Sequence, residues 1–459
     1  MRAARARIGA VATAAVIVGG VVSPSAAQAD VVTRAYTGTL ADGAGWVADV
    51  PAPWNGTLIL YSHGYGPLAA KDAPDPATKQ ILLGEGYALV GSSYSGPSLW
   101  ALKSAVDDQF GALRAIEKTV GRAHRTIAWG TSMGGLVSAL ESEDAHGRID
   151  GTLTSCGLVA GALNLNDYQL DGEYAVSHLL APKPIKLVEF RNDGEAAETV
   201  DALNRATADG QQTAPGRARV ALAAALANVP TWFSGPAAPA PHDFAAQEVQ
   251  QELALVGPGW ARYAGARPQI ELAAGGNSSA TAGVDFATVL HHSVHADEVR
   301  ALYRAAGLDL DADLASLTRH ADIHADPKAI ATLARTSTPS GHLAVPELNI
   351  HTTDDQLVPV EQENWFGRQV ARAGKTALLR QAYVRGTGHC AFQPAETIAA
   401  LHALEHRIGT GRWDEVTQPA ALNAAAASLH LPGSDQARYV PFRAPLLAGG
   451  LGEPGRTSF

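Results

Sequence analysis

Thr126-Ile127-Ala128-Trp129-Gly130-Thr131-Ser132-Met133-Gly134 decides how this chain reads. An apolar run that predicts a strand meets a Gly-x-Ser-x-Gly, and Leu136 to Glu141 then opens a helix-like segment. A strand entering a helix through a very tight turn holds its serine in strained geometry, with the hydroxyl exposed at the top of a sheet. Glycines two residues either side let neighbouring backbones pack where a Cβ would clash. The bare pattern is weak. With 46 glycines in 459 residues, chance supplies roughly 0.2 such matches. Its meaning depends on what surrounds it, and in what order.

Outward from the serine, strand-like and helix-like segments alternate. Trp46 to Val50, Thr57 to Ser62 and Tyr87 to Ser92 predict strands, and the second is almost wholly apolar, as a buried central strand should be. Ser104 to Val120 carries a helical stripe of Ala105, Phe110, Leu113, Ile116 and Val120, and Gly151 to Ser155 predicts a further strand. Such alternation indicates an α/β fold, a mostly parallel central sheet flanked by helices.

From about 161 to 341 the rhythm breaks. This stretch is rich in Ala, Gly, Pro and Asn, with helical patches at Glu195 to Ala208, Ala218 to Ala227 and Ala296 to Ala306. It predicts a mostly helical insertion. The alternation returns with a strand at Pro346 to His351, a helix at Trp365 to Ala373, a last strand at Ala377 to Val384 and a closing helix at Ala395 to Ile408. The expected organisation is therefore a core in two parts, 30–160 and 342–415, an insertion over 161–341, and a low-complexity tail over 416–459 that wraps the surface.

A serine hydroxyl is a poor nucleophile until a base takes its proton, and the base needs an acid to orient it. Ser132 is followed by His351-Thr352-Thr353-Asp354-Asp355-Gln356-Leu357-Val358-Pro359, then by Arg385-Gly386-Thr387-Gly388-His389-Cys390. Both segments sit just past predicted strands, where sheet enzymes place their sites. Tyr61-Ser62-His63-Gly64-Tyr65-Gly66 adds a Gly-containing turn after the central strand. Its backbone N–H groups, with that of Met133, suit an oxyanion.

Over residues 45–160 and 343–410 these parts resemble the α/β-hydrolase superfamily: the His-Gly turn, the Gly-x-Ser-x-Gly elbow, an Asp-x-x-Val-Pro segment and a late Gly-His. The resemblance implies Ser132 as nucleophile, His389 as base, Asp355 as acid with Asp354 as the alternative, and Tyr65 and Met133 as oxyanion donors. His63 is expected to be a structural residue of its turn. The insertion falls where such proteins carry a lid. The implied reaction is hydrolysis of a carboxylic ester or lactone, with an exopeptidase of the same fold as the alternative and a non-catalytic binding protein as a third. No cofactor or metal is required, and the implied partner is a small ester or peptide substrate. The Gly-Gly-Pro-Gly turn of prolyl-aminopeptidase relatives is absent, with His63-Gly64-Tyr65-Gly66 in its place.

The two cysteines, Cys156 and Cys390, form an even pair, which favours a disulfide in an oxidising compartment. If the sheet assembles as expected, the bridge fixes the histidine loop. The arrangement resembles the tannase and feruloyl esterase group, in which the cysteine after the catalytic histidine bridges to one directly before the nucleophile. Here Thr131 holds that preceding position, so the match is incomplete.

Residues 1–29 resemble an export signal: Arg2, Arg5 and Arg7, an apolar stretch from Ile8 to Val22, and Ala27-Gln28-Ala29 before Asp30. The expectation is a secreted protein, cleaved near Ala29/Asp30, without a stable membrane anchor. A net charge of −10 argues against nucleic acid as a partner. Nothing in the sequence sets an oligomeric state. Asp167, Asp171 and Glu173 cluster at the start of the insertion, where an aminopeptidase would need carboxylates for a substrate ammonium; solvated surface charge is the expectation. His291, His292, His295 and Asp297 lack a further ligand at fixed spacing, so they are not assigned to a metal. Tyr94 and Trp100 are candidates for pocket wall or ordinary core.

Overall fold

A computed structural model describes residues 32–456. The export-signal reading and the segment before Val32 lie outside them. The core contains β1 (Val32–Thr39), β2 (Gly45–Ala52), β3 (Thr57–Ser62), α1 (Pro76–Gly84), β4 (Ala88–Ser92), α2 (Leu102–Val120), β5 (Arg125–Thr131), α3 (Met133–Glu143) and β6 (Gly151–Ser155). Helices follow: α4 (Gly161–Leu179), α5 (Asp193–Gly210), α6 (Ala214–Leu226), α7 (Phe244–Ala254), α8 (Trp260–Tyr263), α9 (Arg267–Ala274), α10 (Phe286–His292), α11 (Ala296–Ala306), α12 (Leu310–His320) and α13 (Pro327–Thr336). The core resumes with β7 (Glu347–Asp354), α14 (Glu361–Arg372), β8 (Leu379–Thr387), α15 (Pro394–Thr410), α16 (Pro419–Ser428) and β9 (Tyr439–Val440).

The strands form one sheet in the order β1-β2-β4-β3-β5-β6-β7-β8-β9. From β4 to β8 every pairing is parallel, while β1, β2 and β9 join antiparallel at the edges. Because successive side chains point to opposite faces, the apolar run of β3 serves two cores at once. Ile59 and Tyr61 pack with Ile127, Trp129, Leu153, Ile350 and the α15 residues Ile398, Leu401 and Leu404. Leu58 and Leu60 pack with Phe110, Leu113 and Ile116 of α2. A strand covered on both faces has no polar side, which is why the central strands lack alternation in the sequence.

Between β6 and β7 the described residues are helical and share a core of their own. Alanines carry it: Ala221 to Ala227 of α6 and its end are buried, and a Cβ on Gly172 of α4 would lie 2.8 Å from that of Ala227. Small side chains let these helices approach closely. α4 is buried along almost its whole length, so it shows no amphipathic stripe.

The structure corrects several expectations. β8 is not the last strand, since β9 pairs Tyr439 and Val440 with Val384 and Tyr383. The tail is not a surface wrap: α16 packs on α15, and Ala444, Leu447, Ala448, Glu453 and Arg456 are buried. Asp167, Asp171 and Glu173 are not solvated. All three are buried, with Arg456 reaching Asp171 and Asp167, and Arg267 reaching Glu173 at 2.9 Å. Carboxylates this deep need such partners, because burial of an unpaired charge costs several kcal/mol. His291 and His292 end α10, and His295 caps α11.

Candidate active site

The serine turn is set by backbone crowding. Ser132 sits at φ 61° and ψ −125°, a conformation that L side chains rarely adopt. Its neighbours explain how the chain tolerates this. A Cβ on Gly130 would lie 1.8 Å from the Gly134 carbonyl oxygen, and one on Gly134 would lie 1.9 Å from the Ser62 carbonyl oxygen. Both obstacles are backbone, so neither can step aside. Met133 begins α3, where the first N–H groups have no acceptor within the helix. Tyr65 flanks the same pocket, and the preceding Gly64 lies against Ser132: a Cβ there would meet that of Ser132 at 3.1 Å. The two expected oxyanion donors thus border the serine from separate elements.

His389 follows β8 and Asp355 follows β7. The Ser132 hydroxyl lies 2.7 Å from His389 Nε2, and His389 Nδ1 lies 2.7 Å from Asp355 Oδ2. Asp355 also accepts the N–H groups of Leu357 and Val358 at 2.9 Å each, through Oδ1. Burial pushes its carboxyl upward, but the charges of His389 and His351 and these hydrogen bonds hold it below the ordinary range. The neighbouring Asp354 accepts the Thr353 hydroxyl at 2.7 Å and makes no contact with His389.

Behind Asp355 stands a pair that the sequence reading did not assign. Buried His351 places Nε2 2.8 Å from the Val358 carbonyl and Nδ1 3.1 Å from Glu363 Oε1. A carbonyl only accepts, so Nε2 carries a proton. The other Glu363 oxygen accepts from Asn349 and Gln381. With Nδ1 turned to a carboxylate oxygen and Nε2 to a carbonyl, the ring sits where a positive charge is favoured. Burial opposes that charge, but Glu363 first and Asp355 second outweigh it and raise the ring's pKa. Asp355 Oδ2 lies 3.7 Å from His351 Nε2. His351 precedes Asp355 by four residues, but Glu363 comes from α14, and no local pattern signals the pair.

Cys156 and Cys390 are joined by a disulfide. The bridge leaves from the end of β6 rather than from the residue before Ser132. Both cysteines have left-handed backbones, at φ 47° and 57°, and Cys390 adjoins His389. Among the described residues, Cys156, His389 and Cys390 form the group of metal-type ligand atoms close enough to share an ion. Its sulfurs are bonded to each other, so they offer no thiolate, and the residues do not fit a metal centre. His63 is a structural part of its turn: it is buried, stacked on Tyr94 at 4.2 Å, with Nδ1 2.8 Å from the Gly64 carbonyl. Trp100, in contrast, lines the pocket.

That pocket opens at Ser132 and His389 and has a volume of about 140 Å³. Trp100, Met133, Leu158, Leu165, Ile270 and Val358 make its walls largely apolar, and Gln169 and Arg262 add polar groups. Leu165, Gln169, Arg262 and Ile270 come from α4, α8 and α9, so the insertion builds much of the cavity. Arg262 and Gln169 were not foreseen, because nothing in the sequence places α4 or α8 over the serine.

No family model matches the chain. It is 29% identical over 421 residues to an o-phthalyl amidase of Xanthobacter agilis, with 85% of this chain and 90% of that protein covered. Similar solved structures include an acylaminoacyl peptidase of Pyrococcus horikoshii (10% identity, TM-score 0.35), over 78% of this chain and 38% of that one. This chain therefore spans well under half of the peptidase. A serine hydrolase from the polyaromatic-hydrocarbon-degrading bacterium Cycloclasticus zankles matches at 12% identity and TM-score 0.37, over 83% and 99% of the two chains.

Proposed function

We propose that this chain is a serine hydrolase of the α/β-hydrolase superfamily that cleaves a carboxylic ester, lactone or amide of a small acyl group through an acyl-enzyme. The Ser132–His389–Asp355 relay, with both links at 2.7 Å, carries the reading. His389 Nε2 takes the Ser132 proton as Oγ attacks the carbonyl carbon, and Asp355 steadies the imidazolium that forms. The Met133 and Tyr65 N–H groups receive the oxyanion. His389 then protonates the leaving alcohol or amine, and water repeats the sequence to release the acid. The insertion acts as the lid that shapes the acyl pocket and excludes water.

Esters and lactones are the favoured substrates on the turn sequence, and the amidase relative adds amides. An aminopeptidase is disfavoured by the acids it would use: Asp167, Asp171 and Glu173 face Arg456 and Arg267, not the pocket. A panel of p-nitrophenyl esters, acyl anilides and aminoacyl p-nitroanilides tests this. Turnover of esters or plain acyl anilides with aminoacyl anilides untouched is expected; preference for aminoacyl anilides would transfer the chain to the peptidases. We further propose export, supported by the character of residues 1–29 and by a disulfide of the kind that persists in oxidising compartments. A mature N-terminus at Asp30 in the culture medium is the expected result.

A further inference from the structure

Two polar side chains in the pocket wall have no hydrogen-bond or ion-pair partner among the described residues. Gln169, on α4, is 5% exposed and forms no hydrogen bond among the described residues. Arg262, on α8, is exposed at the same pocket and forms neither an ion pair nor a hydrogen bond among them. The other arginines nearby differ. Arg267 binds Glu173 and Ser279, and Arg456 binds Asp171. Asp193, whose charge also acts on the Tyr65 phenol, takes a hydrogen bond from Gln269 and does not pair with Arg262. The pocket therefore presents one guanidinium and one amide without a direct partner among the described residues.

The short helix that carries Arg262 is anchored through its two aromatic residues. A π-helical turn at Leu255–Gly259, containing Pro258, leads into α8. Such turns re-aim a helix and recur at functional sites. They turn Trp260 and Tyr263 inward, where Trp260 Nε1 donates to Thr207 at 3.1 Å and the Tyr263 hydroxyl to the Gln356 carbonyl at 3.0 Å. Gln356 adjoins Asp355, so α8 is anchored to the acid loop. The rest of the pocket is apolar, and its 140 Å³ matches the cavity size that accepts a benzene ring.

Resting on the catalytic reading above, we propose that the acyl group is a single aromatic ring bearing a second, free carboxylate, and that Arg262 and Gln169 bind that carboxylate. A guanidinium presents a planar fork of donors that fits two carboxylate oxygens together, and the Gln169 amide adds a third donor. The substrates are thus half-esters or half-amides of aromatic dicarboxylic acids.

Binding tests this without turnover. Titration calorimetry compares benzamide with 2-, 3- and 4-carboxybenzamide on the native protein and on Arg262→Met, Arg262→Lys and Gln169→Leu. At least one carboxylated isomer should bind tenfold to a hundredfold more tightly than benzamide, as expected for charged hydrogen bonds. That preference should fall below threefold in Arg262→Met and return in part in Arg262→Lys. Gln169→Leu should lower it by a smaller factor. Equal binding of benzamide and all three isomers, no binding of any of them, or a preference that survives Arg262→Met would overturn the proposal. Turnover of a neutral ester, followed in parallel, reports on the catalytic reading alone, so failure of one is distinct from failure of the other.

Discussion

Replacing Cys156 and Cys390 together by serine removes a bridge between residues 234 apart in sequence. By the chain-entropy relation, a closed loop of that length lowers the unfolded state's entropy by about 18 cal/mol/K, or about 5.5 kcal/mol at 25 °C. An opposing effect comes from the backbone. Both residues sit at positive φ, which costs about 1–2 kcal/mol each for a side-chain-bearing residue. Once the bridge is gone, these turns can relax and recover part of that. The expected net loss is about 3 kcal/mol. With an m-value of about 3 kcal/mol/M in urea, the unfolding midpoint moves down by about 1 M. Urea denaturation followed by tryptophan fluorescence, with the reduced native protein beside the variant, measures it. Function should suffer in the folded variant too, because Cys390 adjoins His389 and a displacement near 1 Å can cost about 100-fold in rate. A midpoint within 0.2 M of native, together with kcat within twofold, would refute the role given to the bridge.

Two further outcomes are expected. Asp355→Asn should lower kcat by about 10⁴-fold, whereas Asp354→Asn, at a carboxylate that accepts the Thr353 hydroxyl and feels the charge of Arg385, should stay within threefold; equal losses in a steady-state ester assay would contradict the assignment of the acid. Glu141 of α3 is buried beneath the Ser62 hydroxyl, and desolvation pushes its carboxyl up to about 8. A raised folded-state pKa means that its contribution to stability is full below the ordinary carboxylate range and is lost as pH rises toward 8. Glu141→Gln should therefore match the native protein in urea unfolding at pH 5 and exceed it by a few kcal/mol at pH 9, and parallel pH profiles would contradict the burial argument.

The sequence exposed the sheet and the turns that follow its strands because their signals are local. Gly130 and Gly134 are required by contacts within one turn and the next strand, and β3, β4 and β5 are apolar enough to declare themselves buried. The histidine and acid follow their strands directly, so order along the chain foretold their meeting. What was hidden depends on distance. Arg267 lies 94 residues from Glu173 and Arg456 lies 285 from Asp171, so an acidic cluster with buried partners looks like solvated charge. β1 alternates weakly because it is an exposed edge, and the two-residue β9 is too short to show a period. In the insertion, α5, α6 and α11 carry readable patches, but α4 is buried all round and offers no stripe to find. Of the pocket's polar groups, Gln169 lies on α4 and Arg262 on α8, whose four residues are too few to show a stripe.

The most direct measurement is covalent labelling of the protein with a fluorophosphonate, followed by tryptic mapping, on the native chain and on Ser132→Ala. If the proposed roles hold, Ser132, whose hydroxyl lies 2.7 Å from His389 Nε2, should be labelled stoichiometrically. Ser132→Ala should take no label and lose about 10⁶-fold in ester turnover while its unfolding midpoint stays near native. Absence of label on the native protein, label at another serine, or near-native turnover in Ser132→Ala would contradict the account.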